Sequence, residues 1–240
     1  MQDNTRVSPN SPYYPYNKVY EGFFNLSSTL DIPRKVMDYI LDMPDGYYTP
    51  KDDNILPRCM LWKLLYYDEE HPETKSLPTP QQKKSVLFDP DMPTKPPTDK
   101  GYRLFPQIYV KQAQTEAQTR IYCYMGRTIA TDDFSVQLSV VFDIWTNYRQ
   151  EANTKAADLY SRVYAIEQSI LAALHGVHMD GVGSFYFNRA KHGDCGSTPM
   201  TDRDGNIGRN LVMGLEVKSE TPNGNIEDNY APIGNGLYFG

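Results

Sequence analysis

The sequence has too few cysteines for a disulfide framework, because Cys59, Cys123 and Cys195 are widely spaced and odd in number. It also has no run near the ~18 consecutive apolar residues that a membrane-spanning helix needs. Its first residues lack the basic and apolar regions of a signal peptide. These absences predict a soluble protein that assembles in the reducing cytoplasm and has no contact with a membrane.

Basic and apolar residues are also scarce. Lys and Arg number 24 against 30 Asp and Glu, which gives a formal net charge of −6, and apolar residues make up 40% of the chain. A protein that coats nucleic acid needs basic side chains to neutralise phosphates, so the charge argues against that class but not against a protein past which DNA slides. A small basic cluster, Arg189, Lys191 and His192, is best interpreted as an exposed turn.

Composition divides the chain into five parts. Residues 1–30 are a polar N-terminal arm, 31–70 a helical segment, 71–100 a Pro-rich insertion, 101–218 an α+β core domain and 219–240 a C-terminal arm. Within 31–70, helices are predicted over 31–42 and from residue 54 or 57 to 67. Seven prolines lie between residues 71 and 100, and this density predicts neither a helix nor an interior strand there. An insertion of this length is expected to be a linker or a binding loop.

Alternation of apolar residues predicts the strands of the core domain. They are expected at 102–110, 119–128, 133–146, 183–190 and 210–218. In the longest of them, every even position from Phe134 to Ile144 is apolar, so that face should lie in a hydrophobic core. The odd face, which includes Val141 and Trp145, needs some other cover.

A helix should supply the cover for the even face. Apolar residues recur at steps of three and four from Leu159 to Leu174, which predicts a long helix over 152–175. Gly176 stands where a C-terminal glycine ends a helix. The predicted fold class is therefore α+β, with an antiparallel sheet covered by one long α-helix, extended terminal arms and the Pro-rich insertion.

No motif in the sequence predicts an active site. The stretch Thr201–Asn206 has closely spaced oxygen-bearing side chains but no downstream glutamate, so a hairpin turn is favoured over a calcium loop. His192 and Cys195 lack the second pair that zinc needs. Adjacent carboxylates such as Asp132 and Asp133 point to opposite faces of a strand. We expect no catalytic residue, no metal ligand, no cofactor and no enzymatic activity.

Residues 119–218 resemble the tail terminator, or tail-completion, proteins of tailed bacteriophages. The shared features are the alternating strand that ends in "VVFDIWT", the helix "AADLYSRVYAIEQSILAALHG" directly after it, and two closing strands that end in "NLVMGLEVK". The closing strand of that family often reads R-x-x-x-x-[FV]-x-[VI], to which "GRNLVMGLEVK" is similar.

The resemblance implies a structural virion protein at the neck or the tail junction. Such proteins form a ring of identical subunits, commonly six, around a DNA channel. The implied partners are other copies of the chain and the neck, portal or connector, and tail tube proteins. DNA would pass through the lumen without specific binding.

Two other functions stay open on the sequence alone, a metal-dependent nucleic-acid-processing enzyme and a capsid-decorating protein. If the chain is a structural virion protein, its two arms should bind neighbouring subunits or adjacent proteins of the particle, because polar termini lack the apolar area to order themselves. Large aromatic side chains are the expected anchors. The predicted interface residues are Tyr13, Tyr14, Tyr16, Tyr20, Leu87, Phe88, Trp145, Tyr230, Tyr238 and Phe239.

Overall fold

The fold is known from a computed structural model. It describes residues 32–42, 57–107, 118–130, 135–153, 161–179, 182–202 and 205–218. Both predicted arms, 1–30 and 219–240, lie outside the described residues.

A mixed sheet that curls into a half-barrel organises the chain. Its seven strands are β1 (Leu104–Phe105), β2 (Arg120–Ala130), β3 (Ser135–Asn147), β4 (His178–Met179), β5 (Gly183–Tyr186), β6 (Gly196–Thr201) and β7 (Asn206–Lys218). The order across the sheet is β1-β2-β3-β7-β5-β4, and β6 pairs with β7 beside β5. The β1–β2 pair is parallel and the other pairs are antiparallel.

Short helices accompany the sheet. They are α1 (Ile32–Asp42), α2 (Pro57–Tyr66), α3 (Pro80–Ser85), α4 (Tyr148–Asn153) and α5 (Arg162–Leu174), with a 3-10 turn at Pro72–Thr74. The helices predicted over 31–42 and up to residue 67 are confirmed as α1 and α2. Val36, Leu64, Phe142 and Ile166 are all fully buried in the same hydrophobic core. The predicted helical segment and the predicted core domain therefore share one core.

The predicted fold class is wrong, because no long helix covers the sheet in the described part of the chain. The chain is mixed α/β instead. The predicted helix 152–175 is replaced by α4 and α5, and residues 154–160 between them lie outside the described residues. Ser161 has an extended backbone, and its hydroxyl accepts a hydrogen bond from the N–H of Tyr164 at 3.2 Å. Ser161 is therefore an N-cap, and α5 begins there as a separate helix.

The apolar alternation of β3 is confirmed. Leu138, Val140, Phe142 and Ile144 are between 0 and 3% exposed and belong to the main core. β3 pairs with β7 along its whole length, so the central strand is held on both edges. The predicted helix end at Gly176 is also confirmed, since its φ is +78° and only glycine adopts that region without strain.

The Pro-rich segment 71–100 contains a helix, contrary to the sequence prediction. Pro80 stands in the first turn of α3, where its missing N–H costs nothing. The N–H of Gln82 donates to the Thr79 hydroxyl at 3.3 Å, and the N–H of Thr79 donates to the Gln82 side chain at 2.8 Å. This reciprocal capping box starts a helix in spite of the surrounding prolines.

Strand β6 lies in a region that the sequence predicts as a loop. Its residues show no apolar alternation, and Pro199 argues against an interior strand. β6 pairs only with β7, from Gly196 opposite Val212 to Thr201 opposite Ile207, and as an edge strand it tolerates proline. The predicted hairpin turn after Thr201 is confirmed, since β6 and β7 form an antiparallel hairpin around it.

Candidate functional site

A half-buried polar network on the odd face of the sheet joins the neighbouring strands β2, β3 and β7. Asp143 of β3 accepts hydrogen bonds from the Asn210 amide at 2.7 Å and from the Tyr124 hydroxyl at 3.0 Å. Burial, followed by the Asp143 charge, raises the pKa of Tyr124 to about 12. The phenol therefore stays protonated near neutral pH and serves as a donor. Both carboxylate oxygens of Asp143 have an internal partner, so the network holds β2, β3 and β7 together.

Ser139 and His192 form a second buried pair that resembles part of a hydrolase site. Their Oγ and Nε2 atoms are 3.4 Å apart, and both residues are 1% exposed. The other ring nitrogen, Nδ1, accepts the backbone N–H of Asp194 at 3.4 Å. The partner of Nδ1 is thus a backbone N–H and not the carboxylate that orients the histidine of a Ser–His–Asp triad. The pair supports the sheet and is not arranged for nucleophilic catalysis.

Two buried arginines, Arg103 and Arg162, meet at the carboxyl end of α2. Arg103 is 1% exposed, and its guanidinium donates to both carboxylate oxygens of Asp68 at 2.9 and 2.6 Å and to the Leu65 carbonyl at 2.7 Å. Arg162 donates to the carbonyls of Leu64 and Tyr67. Unpaired carbonyls and the helix dipole both favour cations at this position. The two arginines therefore fasten α2 to β1 and α5.

This arginine cluster extends to the strands through Gln150. The Gln150 amide donates to Asp68 at 2.7 Å, and the Thr119 hydroxyl donates to the Gln150 oxygen at 3.2 Å. Burial lowers the pKa of Arg162 to about 10, so its guanidinium keeps its charge at neutral pH. Sequence reasoning missed this cluster, because no pattern of spacing connects residues from such distant parts of the chain.

The structure places three of the predicted interface residues inside the chain. Leu87 and Trp145 are buried, at 7 and 6% exposure. Phe88 is half-buried, and its ring centroid lies 5.3 Å from Phe105 and 5.4 Å from Tyr102. Little of their surface is left for another molecule, although a role at an interface stays a prediction. The other predicted interface residues lie outside the described residues: Tyr13, Tyr14, Tyr16, Tyr20, Tyr230, Tyr238 and Phe239.

Aromatic side chains pack around Trp145 on the odd face of β3. Trp145, Tyr102, Phe105 and Tyr122 form a second buried cluster. Phe105 and Tyr122 stack with ring centroids 4.7 Å apart. The chain's own residues between α3 and β1 thus provide the cover that the sequence pattern left unexplained.

The segment Asp89–Lys95, called the Met92 turn below, lies between α3 and β1. Met92 is 57% exposed, the highest value among the large apolar side chains that the structure describes. The turn is nevertheless held in place. The Tyr102 hydroxyl donates to the Met92 carbonyl at 2.9 Å, and the N–H of Asp91 donates to the Asp89 carboxylate at 2.9 Å. An apolar side chain is thus presented to solvent on an ordered support.

An open groove lies between the C-terminal half of α5 and the residue after β5. It is about 380 Å³ in volume and is lined by Gln168, Leu171, Ala172, His175 and Phe187. We call it the α5 groove. The His175 Nδ1 accepts the backbone N–H of Phe187 at 3.0 Å, which ties the two walls together. The turn that follows carries the exposed basic side chains Arg189 and Lys191.

The β6–β7 turn provides a test of whether its acidic residues are structural. Asp202 accepts hydrogen bonds from the backbone N–H and the side-chain amide of Asn206 at 2.9 and 2.8 Å. Asp204 lies outside the described residues. Replacing Asp202 and Asp204 with Ala should lower the free energy of unfolding by about 1.5–3 kcal/mol in urea titrations and leave assembly and infectivity nearly unchanged. Loss of a metal-dependent activity would contradict this and favour an enzyme.

Among the described residues, no group of His, Cys, Asp and Glu could hold a metal ion. Nor does that part of the chain contain a helix long and apolar enough to span a membrane.

A family model, YomW, matches residues 60–213, which is more than half of the chain. This family derives from the SPbeta phage region of Bacillus. No curated protein and no solved structure matches the chain.

Proposed function

Because this chain belongs to the phage-derived YomW family, we propose that it is a structural protein of the phage particle. It forms a ring at the neck or the tail junction, as a tail terminator or a component of the head-to-tail connector. The ring assembles in the host cytoplasm and contacts the portal or connector and the tail tube proteins.

One observation carries this proposal: the chain has two unlike surfaces, an exposed and anchored turn before β1 and an open groove between α5 and Phe187. Two unlike surfaces on one chain permit head-to-tail contacts, in which one surface of each copy binds the other surface of the next. Such contacts close into a ring when a whole number of equal rotations between neighbouring copies adds up to 360°. The resemblance to tail terminators suggests six copies. The formal net charge of −6 suits a channel through which DNA slides, since few basic groups would hold the phosphates.

Sedimentation velocity and native mass spectrometry of the full chain test this proposal. We expect a discrete species whose mass is a whole multiple of the 27.5 kDa chain, with six copies as the expected number. A chain that stays monomeric at every concentration and is missing from purified particles would contradict the proposed function. A chain found only on the particle shell would favour capsid decoration instead.

A further inference from the structure

The Met92 turn and the α5 groove are separate surfaces of one chain. The turn is anchored by Tyr102, next to β1, while the groove adjoins β5 and β4. Four strands separate β1 from β4 in the sheet, and neighbouring strands are about 4.8 Å apart. A contact between these separate surfaces would join two copies of the chain.

The two surfaces have complementary charges. The Met92 turn carries the carboxylates of Asp89 and Asp91, with Lys95 as its basic group. The rim of the groove is the turn that follows Phe187, which exposes the basic side chains of Arg189 and Lys191. Among the described residues, the acid closest in sequence to this basic turn is Asp194, and its carboxylate already pairs with Arg127 at 3.4 Å. The acidic turn therefore faces the basic rim of Arg189 and Lys191 beside the groove when copies meet head to tail.

We propose that Met92 of one copy enters the α5 groove of the next copy, with Asp89 and Asp91 facing its basic rim. This contact rests on the proposed ring and names the residues that would build it. A methionine side chain is unbranched and polarisable, so it adapts to an open apolar groove and makes favourable contacts with an aromatic ring such as Phe187. Leu171 and Ala172 supply the rest of the apolar lining.

The anchored turn favours this contact energetically. Binding normally loses free energy when a loop must be ordered. Here the Tyr102 hydroxyl already bonds the Met92 carbonyl at 2.9 Å and the Lys95 carbonyl at 3.4 Å. The N–H of Met92 also donates to the Asp89 carbonyl at 3.2 Å. The turn therefore has its binding shape before a second copy arrives.

Two surface variants of the full chain test the contact. Met92→Lys removes the apolar side chain and places a positive charge against the basic rim, whereas Ala172→Arg fills the groove. Each variant should weaken self-association at least about tenfold in sedimentation equilibrium. Tyr148→Lys and Ala152→Arg are the matched controls, because both residues are exposed, lie on α4 and belong neither to the Met92 turn nor to the groove lining. The controls should associate like the wild type.

Mixing the two defective variants gives the sharpest result. The Ala172→Arg copy keeps its turn and the Met92→Lys copy keeps its groove, so one intact contact remains. We expect an equimolar mixture to form dimers of about twice the 27.5 kDa chain mass and nothing larger. Circular dichroism of each variant confirms that it is folded.

The possible failures are distinguishable. If the wild type forms a ring and both variants do so as well, the contact is wrong and the proposed function stands. If both variants lose the ring but the mixture stays monomeric, the contact is also wrong, because the loss arose by another route. A wild type that is monomeric at every concentration overturns the ring itself.

Discussion

Replacing Phe142 with Asp should leave the chain unable to fold, and not merely unable to assemble. Phe142 is 0% exposed at the centre of β3, opposite Cys123 of β2 and Leu211 of β7. Removing such a side chain costs about 3–5 kcal/mol, and burying an unpaired carboxylate costs several more. Together these losses rival the ~5–15 kcal/mol that stabilises a domain. Val140→Asp should act in the same way.

Far-UV circular dichroism and the yield of soluble protein measure this effect. Thr198→Asp is the matched control, because Thr198 lies on β6 with its side chain exposed and should tolerate the charge. Phe142→Leu should fold with reduced stability, since it keeps the site apolar. A Phe142→Asp chain that melts cooperatively near the wild-type temperature would show that the even face of β3 is not the core.

Replacing Asp68 with Ala should destabilise the chain by about 2 kcal/mol, which is less than the loss of a fully buried ion pair, because the Asp68 side chain is 34% exposed and solvent screens its charge. Arg103 is 1% exposed and would lose both hydrogen bonds to the carboxylate, while Gln150 would lose its acceptor. The guanidinium would keep its bonds to the Leu65 and Lys100 carbonyls, which limits the loss. The cost arises mainly from a charge that stays buried without its counter-ion.

Urea titration at neutral pH measures the loss, and Glu69→Ala provides the control. Glu69 is the next residue and is exposed, so its removal should change the stability by less than about 0.5 kcal/mol. A double variant with Arg103→Met should lose less than the sum of the two single changes, because the unpaired charge is gone as well. Equal effects of Asp68→Ala and Glu69→Ala would contradict the structural role of the cluster.

The sequence predicted those elements whose pattern depends on a single strand or helix. The even residues of β3 alternate because one face meets the core, and α1 begins where Asp31 and Pro33 favour a start. The break before α5 escaped prediction because apolar steps continue across it, and only the capping bond of Ser161 marks the new helix. That break also removes the single long helix on which the resemblance to tail terminators partly relied.

The candidate surfaces could not be predicted from local pattern. Met92 lies in a proline-rich segment that suggested irregular chain, and its ordered position depends on Tyr102, ten residues away in sequence. The α5 groove combines the outer face of a helix with Phe187, a residue beyond the next hairpin. Trp145 looked available for an interface because its alternation placed it opposite the core, but the segment before β1 covers it.

Electron cryo-microscopy of the phage particle tests the central claim most directly. A copy of the chain with a small fused label, incorporated into particles, should show extra density arranged as a closed ring around the DNA channel at the neck or the tail junction. The same ring should be absent from particles made without the protein. Label density spread over the shell, or particles that contain none of this chain, would contradict a ring-forming structural role.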